Sequence, residues 1–512
     1  MQIVLISPYS GIEATGLRVL SACLKQAGHH TTMIFLPNLD EAMAGTHFDG
    51  RDLSAALRSQ LLTLCAEADL IGMTVMTPSF TLACRLTTML RQHVHTPIIW
   101  GGIHPTVRPA ECLAYADLVC VGEGEGLIVD LADRMAAGQA YTDLPNLAYR
   151  DGEGNLVINP LRPLVSDLDR LPFPDYAFEQ HYLLHQGALQ PATTALMHYY
   201  LTDLGSWAQG PIYGVLTMRG CPYHCTYCAN NALVQIYPGW SHLRRRSPAS
   251  VIAEIQAVRA RLPGIEAIIL RDDTFLANSE AYLREFSAQY QATVGLPFRA
   301  YTTAQTADPA RLQILVEAGL CYVIMGIQSG SRRVQRQYAR TASNARVLQA
   351  AQVLHGFREA IPRPTYDLIT DNPFETDEDR WATLQLVHQL PMPYRLSLYA
   401  LTFYPGTDLE RDARANGHLH GEDARAYQQN FQIVAANYYN LVLYGHSWNL
   451  PRPLLRWLTS YAALRIGSRG WVQRLAGSLL RMLLAVRLWQ NQRRYVTRQH
   501  SWLGAPTRAT HD

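Results

Sequence analysis

Two long stretches of this sequence alternate short, nearly continuous apolar runs with amphipathic segments, and this alternation constrains the fold more than any other feature. In the first stretch the apolar runs fall at 3–7, 32–36, 70–76, 97–100 and 118–121. Between them, 15–27 carries Leu17, Leu20 and Leu24 on one helical face, and helices are also expected over about 53–66 and 79–93. A strand apolar on both faces must be covered on both. Residues 1–137 are therefore expected to form a parallel sheet with helices on either side.

Such a doubly wound, flavodoxin-like domain binds ligands beyond the carboxyl ends of its strands. Four of those ends carry suitable turn chemistry: Ser7-Pro8-Tyr9-Ser10-Gly11, Thr77-Pro78-Ser79, Gly101-Gly102-Ile103-His104-Pro105 and Gly122-Glu123-Gly124-Glu125-Gly126. Glycine there lets the backbone approach a large planar molecule, and it equally serves a tight strand-to-helix turn with no ligand. Neither the first nor the third strand ends in an aspartate, which disfavours a phosphorylated receiver. Residues 138–212, rich in Pro, Asp and aromatics as in Leu171-Pro172-Phe173-Pro174-Asp175-Tyr176, read as an ordered linker. Alternation resumes over 213–417, with strands at 214–218, 267–270, 298–302, 322–326, 366–369 and 396–401. Six strands with intervening helices predict a partial (β/α)6 barrel whose functional loops follow the strands.

The length of 512 residues fits two to four domains, and the net charge of +2 gives no reason to expect a nucleic-acid partner. The N-terminal MQIVLISPYSG has no basic region or cleavage signal, and no run approaches the roughly 20 apolar residues that span a bilayer. A cytoplasmic protein is expected, with its nine cysteines reduced and close spacing favouring metal over disulfide. Cys23, Cys65, Cys84, Cys112 and Cys120 lie among apolar residues and read as core filler.

Cys221-Pro222-Tyr223-His224-Cys225-Thr226-Tyr227-Cys228 is different. Its C-x3-C-x2-C spacing directly follows the first strand of the second stretch, and the next cysteine is Cys321. Three thiolates on one loop suit three corners of a cubane iron–sulfur cluster and leave the fourth iron open. Zinc competes, since His224 completes a Cys3His set, but structural zinc sites usually come as two spaced pairs.

The loop resembles the signature of the radical S-adenosylmethionine superfamily, and the glycine-rich strand ends resemble the cobalamin-binding domain of its B12-dependent branch, which includes hopanoid methylases and the anaerobic magnesium-protoporphyrin monomethyl ester cyclase. The resemblance spans about residues 1–417. It implies a [4Fe–4S] cluster on Cys221, Cys225 and Cys228, with S-adenosylmethionine chelating the open iron. It implies cosubstrate contacts from Tyr227, from Asp272 and Asp273 in Arg271-Asp272-Asp273-Thr274-Phe275, and from Gln328 and Ser329 in Met325-Gly326-Ile327-Gln328-Ser329-Gly330. Gln328 stands where the family usually has Glu. Ile369 belongs to the fifth-strand motif, where Asp371-Asn372 replaces the common glycine. Cobalamin contacts are implied for Pro8, Tyr9, Thr77, Ser79, Gly101, Gly102, His104, Gly122, Glu123, Gly124 and Glu125. The Asp-x-His-x-x-Gly motif is absent, so base-off corrin without a protein imidazole is expected, with His104 beside the ring rather than on cobalt.

The implied activity is reductive cleavage of S-adenosylmethionine to a 5′-deoxyadenosyl radical and methylation of an unactivated carbon of a hydrophobic, lipid-like or polycyclic substrate. Oxidative cyclisation of a tetrapyrrole-like substrate and a non-catalytic cobalamin or redox sensor are the alternatives. A flavodoxin or ferredoxin is the expected electron donor. Residues 418–512 form a helical, Arg-rich extension: from Pro451 onward eleven Arg stand against a single acid, Asp512. It reads either as a cap on the barrel or as a peripheral membrane contact.

Overall fold

A computed structural model describes residues 1–37, 53–202, 207–208, 210–427 and 433–503, although side chains at 424, 425, 488 and 491–503 lie outside the description. The chain divides into two compact units. The first comprises Met1–Thr194, Tyr227–Arg246 and Phe403–Asn430; the second comprises Ala195–Thr226, Ser247–Thr402 and Phe431–Asp512.

The first unit is built on β1 (Gln2–Ser7), β2 (His30–Phe35), β3 (Leu70–Thr74), β4 (Ile98–Gly101), β5 (Leu118–Cys120), β6 (Leu147–Arg150), β7 (Leu156–Ile158), β8 (His181–His185) and β9 (Ala188–Pro191). Their order is β7-β6-β5-β4-β3-β1-β2-β8-β9. The central β5-β4-β3-β1-β2 are parallel, with β2 on one side of β1 and the later strands on the other. That is the doubly wound order, and the reversal opens a crevice beyond the carboxyl ends of β1 and β3. Ile3, Leu5, Ile71, Trp100 and Val119 are buried on these strands, as runs apolar on both faces require. The helix Ala55–Cys65 starts where Ser54 accepts the Leu57 amide at 3.1 Å.

Residues 138–212, expected to be a linker, contribute β6 to β9 instead. Each is only three to five residues long, too short for a period to be counted in the sequence. The proline-rich run is likewise part of the core. Asp175 accepts from Ser21 Oγ at 2.6 Å and pairs with Lys25 at 2.8 Å and His181 at 3.2 Å. Burial raises this carboxyl's pKa, but the hydrogen bonds and charges of His181, Lys25 and Ser21 outweigh it and hold the group far below the usual range. Arg18, fully buried, donates to the Asp175 carbonyl at 2.7 Å, with the Phe35 and Tyr176 rings 4.3 and 4.1 Å from its guanidinium carbon. A charged side chain survives at such depth because it is hydrogen-bonded and stacked.

The second unit carries β10 (Ile212–Val215), β11 (Ala267–Leu270), β12 (Phe298–Thr302), β13 (Leu320–Gln328), β14 (Thr365–Thr370) and β15 (Arg395–Ala400). These six are parallel and lie side by side in chain order, with β10 and β15 at the edges, as an open (β/α)6 barrel has them. The helices Pro248–Arg261, Glu280–Thr293, Pro309–Glu317, Asn344–Gly356 and Asp377–Gln389 start at Ser247, Ser279, Asp308, Ser343 and Thr376, whose side chains accept first-turn amides. These caps fix where the loops beyond the strands' carboxyl ends stop.

Four helices follow: Tyr438–Ser447, Arg452–Leu458, Tyr461–Gly467 and Gly470–Leu503. The first covers the edge strand β15, where Ser447 Oγ accepts the Leu396 amide at 3.1 Å and Tyr394 shares a 3.2 Å hydrogen bond with His446. An otherwise open sheet edge is thereby partnered. Among the described residues no helix is long and apolar enough to cross a membrane.

Candidate functional site

The cysteine loop leaves β10 and is fixed within the second unit at several points. Asp272, just beyond β11, is 2% exposed and accepts the Thr217 amide at 2.8 Å, the Thr217 hydroxyl at 2.6 Å and the Met218 amide at 2.9 Å. Burial pushes its carboxyl up to about 6, against the lowering effect of those hydrogen bonds. Further along, Tyr223 pairs with the Thr303 hydroxyl at 3.2 Å, and Thr226 donates to the Gln337 carbonyl at 2.6 Å. The loop is a built structure.

Cys221 and Cys225 are buried, and burial pushes the Cys221 thiol up to about 11. Cys228 is partly exposed and precedes the helix Ala229–Ile236. Arg340 places Nη1 3.8 Å from Cys225 Sγ while Nη2 donates to the Gly326 carbonyl at 2.8 Å, so a fixed cation stands beside this sulfur. Thiolates in buried surroundings need such positive charge, from a metal or a guanidinium. Among the described residues no three His, Cys, Asp or Glu side chains gather around one point as a single ion would require. A zinc ion needs its sulfurs about 2.3 Å from one centre, whereas a cubane takes each thiolate at a separate iron. His224, the zinc reading's fourth ligand, is exposed. The donor set fits the cluster.

The other cosubstrate positions divide into two groups. Asp273 is exposed and raises the Cys221 pKa by its charge, so it faces the loop, whereas both oxygens of Asp272 are occupied in holding the loop. Gln328 ends β13 at φ 65° with its amide oxygen buried and without a partner. Ser329 is fully buried, sharing 3.2 Å with the Thr383 hydroxyl and accepting the Ser331 amide at 3.1 Å. Ile369 is 9% exposed within β14, and Tyr227 is half-buried.

In the first unit, Tyr9 and Thr74 join the ends of β1 and β3 through a 2.7 Å hydrogen bond at the switch of strand order. Pro8 is buried beside Tyr9, and burial pushes the Tyr9 phenol up to about 12. Met76, beyond β3, is 38% exposed and offers an apolar surface at the same end of the sheet. Gly101 and Gly102 follow β4; Gly102 adopts φ 110°, and a Cβ on it would meet the Val75 carbonyl at 2.7 Å. An apolar, glycine-rich rim at a switch point fits a broad planar ligand such as a corrin.

Other residues of that set hold the chain together. Ser79 caps Met76 through contacts of 3.0 and 3.1 Å. His104 is fully buried, bonded to the Thr77 hydroxyl at 3.1 Å and 3.5 Å from Glu111, with the Phe80 and Tyr427 rings at 4.5 and 5.5 Å. A Cβ on Gly122 would lie 1.9 Å from the Tyr237 hydroxyl, which takes the Asn146 amide at 2.8 Å. Glu123 pairs with Arg244 at 2.8 Å and accepts the Val165 amide at 2.8 Å. Gly124 packs toward Cys120, and Glu125 is buried at the start of the helix Glu125–Ala136. Gly122 and Glu123 thus anchor the segment that follows the cysteines, a task no sequence period reveals.

The motif beyond β14 was legible in the sequence, but the distant partners that make it a polar wall were not. Asp371, at φ 56°, accepts the Ala435 amide at 2.6 Å and the Asn440 amide at 3.1 Å, while Asn372 donates to Tyr338 at 3.0 Å. Beside them Glu375 is buried with neither oxygen hydrogen-bonded, and burial pushes it up to about 8. A raised carboxyl binds a proton in the native state where the unfolded chain does not, so its contribution is complete below about pH 4.5 and is lost as pH rises towards about 8. Thermal melts across this range should show falling stability, and Glu375→Gln should flatten the profile, removing a loss of roughly 4 kcal/mol. A parallel decline in the variant would show that another group carries it.

Residues 215–387 match the model of the Radical SAM superfamily and residues 1–132 that of the B12 binding domain. An uncharacterized methyltransferase of Pyrococcus horikoshii is 27% identical over 370 residues, 70% of this chain and 72% of the relative. The anaerobic magnesium-protoporphyrin IX monomethyl ester cyclase of Rubrivivax gelatinosus is 26% identical over 60% of this chain and half of its own length. In fold, the chain is similar to the radical S-adenosylmethionine methyltransferase TsrM of Kitasatospora setae, solved with tryptophan and an aza analogue of S-adenosylmethionine, at a TM-score of 0.61 and 19% identity over 81% of this chain and 76% of that one.

Proposed function

The chain belongs to the cobalamin-dependent radical S-adenosylmethionine enzymes, whose cofactors are a [4Fe–4S] cluster, S-adenosylmethionine and cobalamin, and from this premise we propose that it methylates an unactivated carbon of a substrate that is largely hydrophobic but has a polar end. The observation that carries the reading is the cysteine loop, pinned by Asp272 and served by Arg340. Cys221, Cys225 and Cys228 hold the cluster. When bound, the cluster supplies the electron that cleaves S-adenosylmethionine and the corrin carries the methyl group.

The chain's own residues bind, orient and exclude water. Asp273, Tyr227, Gln328, Ser329 and Ile369 line the cosubstrate's place, with the unpartnered Gln328 oxygen accepting from a hydroxyl or amine. Asp272 positions the loop without touching ligand. The β1, β3 and β4 ends, through Pro8, Tyr9, Thr77, Gly101 and Gly102, would shape the corrin's bed, while Ser79, His104 and Gly122 to Glu125 fix the chain around those ends. The polar end of the substrate is supported by the barrel lining. Phe298 packs on Phe286 and Tyr290 of the helix Glu280–Thr293, so the pleat turns Arg299 and Tyr301 to the opposite face of the sheet. Asp367 on β14 is lifted to about 7 by burial, offset in part by Arg299 and Ser397. A flavodoxin or ferredoxin is the electron source.

The test is anaerobic turnover of the reconstituted protein with S-adenosylmethionine labelled in its methyl group, methylcobalamin, a reduced flavodoxin and a panel of polar-headed lipids and polycycles. Formation of 5′-deoxyadenosine with label in a carbon-bound product is expected. Unlabelled ring-closed product would replace methylation by oxidative cyclisation, and no 5′-deoxyadenosine from cluster-replete protein would remove the proposal.

A further inference from the structure

The C-terminal helix Gly470–Leu503 has a character that neither the barrel nor the cofactors explain. Leu480 and Ala476 are 0% and 7% exposed and mark the side packed into the second unit. On a helix of 3.6 residues per turn, Trp471, Leu475, Leu479, Met482, Val486 and Trp489 fall within an arc of about 80° on the opposite side. All six are 44–63% exposed. A helix that needed only to cap a barrel would be polar there. Trp457, Leu454 and Ile466, on the two preceding helices, are 66%, 45% and 48% exposed.

The segment that carries this stripe has charged side chains of one sign up to its last residue. Arg474 and Arg481 flank it on the helix, and Pro451 to His511 contains no Asp or Glu. On the side of Leu480, Arg487 lines a groove of about 380 Å³ with Arg395, Tyr322, Tyr444 and Leu484. Arg363 stands close enough that burial, Arg395 and Arg487 together lower its pKa, and its Nε is buried without a partner. No ion pair joins any of these three arginines to a carboxylate among the described residues.

We propose that this face seats the protein on the surface of an anionic phospholipid bilayer, with the apolar stripe in the headgroup–acyl boundary and the arginines on lipid phosphates. Tryptophan at both ends of the stripe suits that depth, because an indole is apolar in body and polar at its N–H. A second copy of the chain is the poorer occupant: it would bring Arg474 and Arg481 against arginines of the same sign. The helix lies along the surface, since it is too polar to cross.

Flotation of the full-length, cluster-loaded protein with vesicles tests this without reference to its activity. Binding is expected to phosphatidylcholine vesicles containing phosphatidylglycerol, with about tenfold weaker partitioning to phosphatidylcholine alone and a decline in high salt. Leu475→Glu with Met482→Glu should abolish binding, and Arg474→Glu with Arg481→Glu should remove its salt-sensitive part, both with unchanged circular dichroism. Equal binding to neutral vesicles would overturn the role of the arginines. No vesicle binding, whether the protein sediments as a monomer or as a dimer that Met482→Glu dissociates, would overturn the proposal.

Discussion

Cys225→Ala is expected to yield a folded protein that forms no 5′-deoxyadenosine. Two thiolates cannot hold a cubane at three corners, and Cys225 is the sulfur beside Arg340, 3.8 Å from its guanidinium. Loss of an outer-shell partner already costs roughly 10–100-fold at a metal site, so loss of a ligand should exceed that and reach the detection limit. The fold should tolerate it, because removing a buried sulfur costs about 1 kcal/mol of packing. Cys84→Ala is the matching control: Cys84 is equally buried, at 8% exposure in the first unit's core, and should lose packing alone. The discriminating measurement is iron and sulfide per chain alongside S-adenosylmethionine cleavage. A Cys225 variant that retained a full cluster and cleaved at the native rate would take the iron centre away from this loop.

What the sequence revealed and what it concealed follow from how local each signal is. The five parallel strands β1 to β5 and the six of the barrel were legible because a strand buried on both faces must be apolar throughout, as in Ile3, Val4, Leu5 and Ile6; the short β6 to β9 were not. The cysteine loop was legible because its spacing is chemistry in itself. Relations between distant residues were not. Arg340 reaches Cys225 across 115 positions, and Tyr237 fills the space above Gly122 across another 115. Glycine at 122 reads in sequence as room for a ligand, whereas the structure gives that room to a tyrosine of the same chain. His104 shows the converse: it lies at the strand end expected, but Thr77, Glu111, Phe80 and Tyr427 surround it. Asp371 departs from the family's glycine and still adopts φ 56°, held by the amides of Ala435 and Asn440 from the C-terminal region. A left-handed aspartate is tolerable where its side chain is fixed in this way.

The loop that holds the cluster should also depend on a residue that touches no cofactor. Asp272→Ala is expected to lower S-adenosylmethionine cleavage by roughly 10–100-fold while leaving most of the barrel intact. The native carboxylate satisfies two backbone amides and one hydroxyl at the exit of β10, all within 2.9 Å. Alanine leaves both amides buried without an acceptor, at about 1–3 kcal/mol each, and the chain can relieve this only by moving the turn that leads into Cys221. Asp272→Asn keeps an acceptor for the amides and should recover most of the loss. A purely structural role would lower the melting temperature and leave cleavage per intact cluster unchanged. A positioning role lowers cleavage per cluster and alters the electron paramagnetic signature on adding S-adenosylmethionine, since Cys221 would hold the cluster and Asp272 fixes the turn that leads into Cys221. If the alanine variant keeps native cleavage per cluster, Asp272 does no more than hold two strands together.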